Sequence, residues 1–258
     1  MRRKLFGLAM FVLASSLLAC GGGSKSSEEK IPAPSPTTAA AAVDPTTAGE
    51  INGQVSFEGK APAKIPIRMD DEPVCMKEYK VPIYSDEVVL NDNKTLRNVF
   101  VYVKDGLGDR TFPPPSEPAV LDQKGCWFIP HVVGVMTGQK FAVKNSDPAS
   151  HNIHPIPNLN REWNKSMIAG APDLMEQFVH AEVMIPVRCN VHPWMRAYIG
   201  VLPHPFFAVT DDKGSFVLKG LPPGEYTIEA WHEKYGTVDQ KITVGPKESK
   251  AVQFSFKG

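Results

Sequence analysis

Short apolar runs with a two-residue period, separated by turn-forming residues, constrain this chain most. In Ile51-Asn-Gly-Gln-Val55-Ser-Phe57, apolar side chains alternate with polar ones, which is the pattern of a half-buried β-strand. No long stretch repeats apolar residues every 3.6 positions, so helix is minor. The sequence therefore predicts an all-β protein made of two β-sandwiches. The further predicted strands are 99–103, 132–136, 140–144, 183–187, 198–202, 206–209, 215–218, 226–231, 242–244 and 252–256.

The first twenty residues have the pattern of an export signal. Arg2-Arg3-Lys4 precedes an apolar run, 5–19, that is too short to span a bilayer. Its end, Leu-Leu-Ala-Cys20, resembles the bacterial lipoprotein cleavage box. That resemblance implies removal of residues 1–19, lipidation of Cys20, membrane attachment through the acyl chains and, in a Gram-negative cell, the periplasmic face of the outer membrane. An ordinary signal peptide with an incidental cysteine is the alternative.

The segment 20–49 is rich in Gly, Ser, Ala, Pro and Thr and has almost no large apolar residues, so we expect a disordered linker. The whole chain has 28 basic and 28 acidic residues. Loss of the signal removes only basic ones. This balance gives no reason to expect nucleic acid as a partner.

Three cysteines remain after Cys20. Cys75 and Cys126 lie in polar, loop-like surroundings of an exported chain, where disulfides persist, and we expect them to pair. A bridge across a loop of this length contributes about 4 kcal/mol in the chain-entropy model. Cys189 is then left over, and a spare thiol in an oxidising compartment needs an explanation.

Cys189 begins a motif of soft donors, Cys-x2-His-x2-Met, whose other members are His192 and Met195. Copper that cycles between two oxidation states favours a thiolate, two imidazoles and a weak thioether. Cys189 continues the every-second-residue series of apolar residues in 183–187, and Met195 precedes the same kind of series in 197–201. Both sulfur atoms should therefore face a sandwich interior.

A single short loop cannot surround an ion, so a further ligand is expected from an earlier loop. The string Gly138-x2-Phe-x-Val-x-Asn-x-Asp147-x3-His151-Asn152, taken together with the Cys-x2-His-Pro-Trp-Met segment, resembles the cupredoxins, and the short ligand loop resembles that of amicyanin. The resemblance covers about residues 118–203. It implies a type 1 copper ion held by the residues His151, Cys189, His192 and Met195.

The same resemblance implies supporting roles around the ion. Asn152 ties the two ligand loops together by hydrogen bonds, and Pro193 offers no backbone hydrogen-bond donor toward the sulfur. The ring edge of His192 is expected to reach the surface as the electron exit. His154 is either a further ligand, a group supporting the ligands, or simply a loop histidine. Zinc and a degenerate site are the alternatives to copper.

A second pattern lies near the C-terminus. Residues 212–228 alternate apolar side chains across two strands joined by Pro-Pro-Gly, and they resemble the carboxypeptidase regulatory-like (prealbumin-like) sandwich, a structural or carbohydrate-binding-like module. The predicted organisation is an N-terminal β region at 50–117, a copper domain at 118–203 and a regulatory-like domain at 204–258. The first strands of 50–117 also fit the regulatory-like pattern, so the copper domain is either inserted in that sandwich or in tandem with it.

These features predict a one-electron carrier and not an enzyme. The chain has no Gly-x-Ser-x-Gly and no His-Glu-x2-His, and four protein donors would leave copper no open position for a substrate. The amicyanin-like loop suggests a c-type cytochrome or a dehydrogenase as redox partner. A surface-binding module with structural copper, and copper storage or delivery, are the rivals.

Overall fold

The computed structural model describes residues 43–258. The expected signal 1–19, the lipidation site Cys20 and linker residues 20–42 lie outside this range. Sixteen strands and one short helix form the described chain: β1 (Gly49–Glu58), α1 (Pro73–Lys77), β2 (Phe100–Asp105), β3 (Ala119–Gln123), β4 (Phe128–Ile129), β5 (Val132–Met136), β6 (Lys140–Asn145), β7 (His151–Pro155), β8 (Lys165–Met167), β9 (Leu174–Gln177), β10 (Glu182–Arg188), β11 (Arg196–Leu202), β12 (Phe207–Val209), β13 (Ser215–Leu221), β14 (Gly224–His232), β15 (Gly236–Val244) and β16 (Ser249–Lys257).

The fold class predicted from the sequence, all-β with two β-sandwiches, is confirmed. The strands form four sheets, which pair into two sandwiches with separate apolar cores. The sheet orders are β13-β1-β16 and β12-β2-β14-β15 in one sandwich, and β4-β3-β6-β9 and β5-β11-β10-β7-β8 in the other. We call the first the terminal sandwich and the second the middle sandwich. No described helix is long and apolar enough to cross a membrane.

The terminal sandwich is discontinuous in sequence. Its strand β1 pairs with β13 and, in parallel, with β16, while β2 pairs with β12 and β14. Both N-terminal strands thus share sheets with C-terminal ones, and β3 to β11 form the middle sandwich between them. The chain therefore has the inserted arrangement rather than the tandem one.

The last residues of the predicted linker make backbone hydrogen bonds. Asp44 accepts a backbone hydrogen bond from Thr47, and the carbonyl of Thr47 accepts one from the amide of Lys247. Strand β1 begins at Gly49. Residues 44–48 therefore form a turn against the β15–β16 connection.

The two sandwiches meet through an aromatic layer on the β2 sheet. Val101 and Val103 of β2 belong to the terminal core, whereas Phe100 and Tyr102 point to the other side with Val132 and Leu202 of the middle sandwich. Strand β2 is consequently buried on both faces. This layer holds the middle sandwich against the terminal one.

Several strands of the middle sandwich carry no clear alternating pattern. Strands β3, β4, β7, β8 and β9 are five residues or fewer, and the sequence did not predict them. Strand β7 is His-Asn-Ile-His-Pro, which is too polar to be recognised as a buried strand. Its backbone pairing to β8 and β10 places it in the sheet, and that pairing positions the site described next.

Candidate metal centre

Three predicted ligands meet at one end of the middle sandwich. His151 is the first residue of β7, rather than a loop residue as expected, and Cys189 directly follows β10. The Nδ1 atoms of His151 and His192 lie 2.8 Å apart, and the Sγ of Cys189 lies 3.7 Å from Nδ1 of His192. Donor atoms of the three residues all fall within 4.8 Å of one another. All three side chains are buried.

Met195 closes the loop that carries Cys189 and His192. Its amide donates to the His192 carbonyl at 2.9 Å, and its carbonyl accepts from the Cys189 amide at 3.2 Å. The Met195 side chain is fully buried in the core that contains Cys189. The side chains of Cys189 and Met195 are therefore both buried, as the alternation of apolar residues in the sequence predicts.

Asn152 connects the two ligand segments. Its Oδ1 accepts the amides of Asn190 at 2.7 Å and Val191 at 3.3 Å, and lies 3.4 Å from the Cys189 sulfur. The sulfur also accepts the His192 amide at 3.4 Å. Pro193, next in the loop, has no amide to donate. These contacts hold the Cys189 sulfur in one position without a metal.

Asp147 supports His151 from behind. Its Oδ2 lies 2.8 Å from Nε2 of His151 and accepts the Cys126 amide at 2.8 Å, while its Oδ1 accepts the Gly125 amide at 2.5 Å. A carboxylate on the far ring nitrogen fixes the tautomer and orientation of a ligand histidine. Nδ1 of His151 is thereby turned toward Cys189 and His192.

The charges of the site favour a thiolate. Burial raises the pKa of Cys189, but hydrogen bonds from His151 and His192 outweigh it and lower that pKa to about 6. Burial lowers the pKa of His151, but the hydrogen bonds to Asp147 and Cys189 raise it to about 9. A thiolate is the form of cysteine that binds metals. At neutral pH these shifts favour a thiolate at Cys189 beside a protonated ring at His151.

The second histidine of the β7 strand lies apart from this cluster. Nε2 of His154 is 2.6 Å from Glu162, and its Nδ1 is 3.4 Å from the Asn190 side chain. Its side chain is partly exposed, and the buried donor cluster does not include it. His154 is a residue of strand β7 and not of a loop, and it contacts Asn190, the neighbour of Cys189.

A segment remote in sequence covers the remaining side of the site. Cys75 and Cys126 form a disulfide with sulfurs 2.06 Å apart, and both are buried, not in polar surroundings as expected. The Cys75 sulfur lies 3.8 Å from Nε2 of His192, and Oε2 of Glu72 lies 3.6 Å from the same nitrogen. His192 is 1% exposed. The expectation that its ring edge reaches the surface is wrong, because α1 and the disulfide lie over it.

Sequence reasoning missed two contributors to the site. Asp147 is part of the motif that begins at Gly138. Its position four residues before His151, in a short loop, could have predicted a contact between the two side chains. Glu72 gave no signal, because only the tertiary fold brings a residue so far upstream to His192. Trp194, in the same loop as His192, is partly buried and donates from Nε1 to the Cys126 carbonyl at 3.1 Å.

The C-terminal segment is similar to a known family. Residues 199–257 match the family model of the carboxypeptidase regulatory-like domain, in agreement with the pattern at 212–228. The match begins within β11, slightly before the predicted boundary at 204, although β11 belongs to the middle sandwich. No curated protein matches the chain in sequence.

Solved structures show partial likenesses to copper proteins. A copper-containing nitrite reductase from Thermus scotoductus is 18% identical over 38% of this chain and 25% of its own, with a TM-score of 0.31. A purple cupredoxin from Nitrosopumilus maritimus is 17% identical over 32% of this chain and 98% of its own, at 0.28. An amicyanin variant in the Cu(I) form is 17% identical over 39% and 97%, at 0.30. The chain thus spans about a quarter of the reductase and nearly all of the two smaller proteins.

Proposed function

We propose that the protein is an extracytoplasmic, lipid-anchored type 1 copper protein that carries single electrons between redox partners. The observation that carries this proposal is the buried cluster of one thiol and two imidazoles, with donor atoms within 4.8 Å of one another. The donor set fits copper, since a thiolate and two imidazoles with a thioether nearby suit an ion that cycles between Cu(I) and Cu(II). Copper bound there would accept and release one electron.

The residues of the chain divide the work of holding such an ion. His151 and His192 would supply Nδ1 atoms, Cys189 would supply the sulfur, and Met195 would supply the thioether. Asp147 keeps the His151 ring oriented, and Asn152 fixes the spacing between the two ligand segments. Because hydrogen bonds to Asp147 and Asn152 hold these groups in place, little rearrangement is expected between oxidation states, which suits electron transfer.

Burial of the ligands favours a carrier over copper storage or delivery. A storage or delivery protein needs donors that exchange copper readily, whereas the four proposed ligands are at most 3% exposed. The terminal sandwich is proposed to anchor the copper-bearing one rather than to act on a substrate. The proposed partners are a c-type cytochrome or a dehydrogenase, and the proposed place is the periplasmic face of an outer membrane.

The test is the colour and ligand dependence of the copper-loaded protein. Wild type with one equivalent of Cu(II) should turn intensely blue through thiolate-to-copper charge transfer. Cys189→Ser should abolish the band, because the hydroxyl cannot replace the thiolate. His154→Ala is the matched control and should keep the band, since His154 contacts Glu162 and Asn190 instead of the donor cluster. A colourless wild type at full copper loading would reject the proposal.

A further inference from the structure

A hairpin-like segment outside both sandwiches covers the proposed copper site. We call residues 65–85 the strap. Its two ends pair, with the Ile67 amide donating to the Ile83 carbonyl at 3.0 Å and the Ser85 amide donating to the Ile65 carbonyl at 2.8 Å. Its tip carries α1. The strap thus leaves the terminal sandwich, crosses the metal end of the middle sandwich and returns.

The inner face of the strap packs directly on the site. Met69 and Cys75 belong to the same buried core as Cys189 and Met195. The Cys75 sulfur lies 3.8 Å and the Glu72 carboxylate 3.6 Å from Nε2 of His192, which is 1% exposed. The strap therefore separates the ligand from solvent.

Few ties hold the strap in place. The Cys75–Cys126 disulfide joins its tip to the loop before β4, and the Tyr79 hydroxyl donates to the carbonyl of Gly125 in the same loop. Besides the two backbone hydrogen bonds that pair its ends, the strap has an isolated bridge between Pro66 and Tyr84, a five-residue helix without a side-chain N-cap, and its apolar inner face. The outer face is exposed, as at Met76. Segments with so little regular hydrogen bonding open locally at lower free energy than core strands.

We propose that the strap is a gate on the metal site and that the Cys75–Cys126 disulfide keeps it closed. This inference rests on the proposed function for the identity of the metal, although the covering of His192 does not depend on it. With the disulfide intact, copper, chelators and other small reagents reach the ligands only when the strap lifts. Copper exchange is then limited by the strap and not by the strength of the ligand set alone.

The first test uses the metal-free, full-length chain purified in detergent and treated with diethyl pyrocarbonate, which acylates accessible histidine. His192 should be protected in wild type and modified about tenfold faster or more in the double variant Cys75→Ala/Cys126→Ala, since loss of a cross-link shifts a local opening equilibrium strongly. Exposed His180 is an internal control and should react equally in both proteins. Met76→Ala, on the same helix, should leave His192 protected. Equal His192 rates in wild type and double variant would overturn the gate.

The second test follows copper release from the loaded full-length chain to excess chelator by loss of the blue band. The double variant should be blue and should lose copper about tenfold faster or more than wild type. Equal release rates would contradict the gate while leaving the copper proposal intact. A wild type that never turns blue would instead reject the copper proposal, and the acylation test would still report on the gate.

Unfolding of the double variant is a separate outcome that the buried histidines reveal. His204 and His232 lie in or beside the terminal sandwich and are 6% and 2% exposed, so both should stay protected in a folded variant. If His204 and His232 are acylated, the double variant is unfolded, and hydrogen exchange of the wild-type protein then tests the gate instead. Amides of Met76, Glu78 and Tyr79, which bond within the strap, should exchange by local opening, at lower free energy than those of β6 and β10. If these amides exchange only at the same free energy as the amides of β6 and β10, the strap does not open by itself and the gate is ruled out.

Discussion

At the scale of single residues, Asp147 shows how one carboxylate organises the site. It accepts two backbone amides from the loop that contains Cys126, and it orients His151. Burial raises the pKa of Asp147, but its hydrogen bonds to His151, Cys126 and Gly125 outweigh this and hold the pKa below the usual value. The carboxylate is therefore charged, and its negative charge lies behind the His151 ring.

Asp147→Asn should weaken copper binding by about 10- to 100-fold, the usual effect of losing the group that orients a ligand histidine. The amide has one acceptor oxygen where the carboxylate has two, so at least one of the three donors loses its partner. The reduction potential should rise, because removing a negative charge disfavours Cu(II) over Cu(I). Chelator competition and voltammetry measure the two effects. Asp173→Asn, at an exposed aspartate, is the control, and unchanged affinity in Asp147→Asn would contradict the assigned role.

At the scale of elements, two glycines allow the sheets of different sandwiches to pack. Gly134 of β5 and Gly200 of β11 are paired neighbours. A Cβ at Gly134 would lie 2.2 Å from the Phe207 ring, and one at Gly200 would lie 2.5 Å from the Phe100 ring. These aromatic rings, stacked with centroids 5.7 Å apart, rest on a strip of the sheet that has no side chains.

Gly200→Ala should lower the free energy of unfolding by about 1–3 kcal/mol, the typical cost of overpacking a core. The Phe100 ring cannot move aside freely, because β2 is buried on both faces. Denaturant unfolding measures the change, with Val217→Ala at an exposed strand position as the comparison. A loss no larger than that of Val217→Ala would show that the aromatic layer adapts.

At the scale of the whole molecule, an ionic cluster around buried His131 joins the two sandwiches to Asp86, the residue that follows the strap. His131, just before β5, contacts Asp86 after the strap through Nδ1 at 2.9 Å, and its Nε2 contacts Glu233 in the β14–β15 turn. Burial lowers the pKa of His131, but the hydrogen bonds to Asp86 and Glu233 outweigh it and raise the pKa to about 10. His131 is therefore an imidazolium between two carboxylates at neutral pH.

Because the pKa of His131 is raised in the folded protein, the free energy of unfolding should depend on pH. A histidine whose folded pKa is raised stabilises the protein fully below its unfolded pKa of 6.5, and the contribution is lost as pH rises toward about 10. The difference in unfolding free energy between wild type and His131→Gln should therefore shrink across that range. Denaturant unfolding of the copper-loaded proteins at several pH values measures it, with His180→Gln as an exposed control. A difference that stays constant with pH would contradict the charged state of His131.

Much of this protein follows from local sequence patterns. Alternating apolar residues predict the all-β class, because a two-residue period is a local property of a strand with one buried face. The Cys-x2-His-x2-Met spacing predicts that Cys189, His192 and Met195 share a loop, since so few residues cannot separate them. The predicted ligand His151 lies with Cys189 and His192 in the structure, whereas short polar strands such as β7 were not predicted, because their pairing partners are remote.

Only the tertiary structure decided what lies over His192 and how the sandwiches join. The strap reaches the site from more than a hundred residues upstream, and no local pattern encodes which surface a loop will cover. The same holds for the His131 cluster, whose carboxylates come from distant segments. Periodicity and spacing describe neighbours along the chain. Burial and ion pairing between remote segments depend on how the complete chain packs.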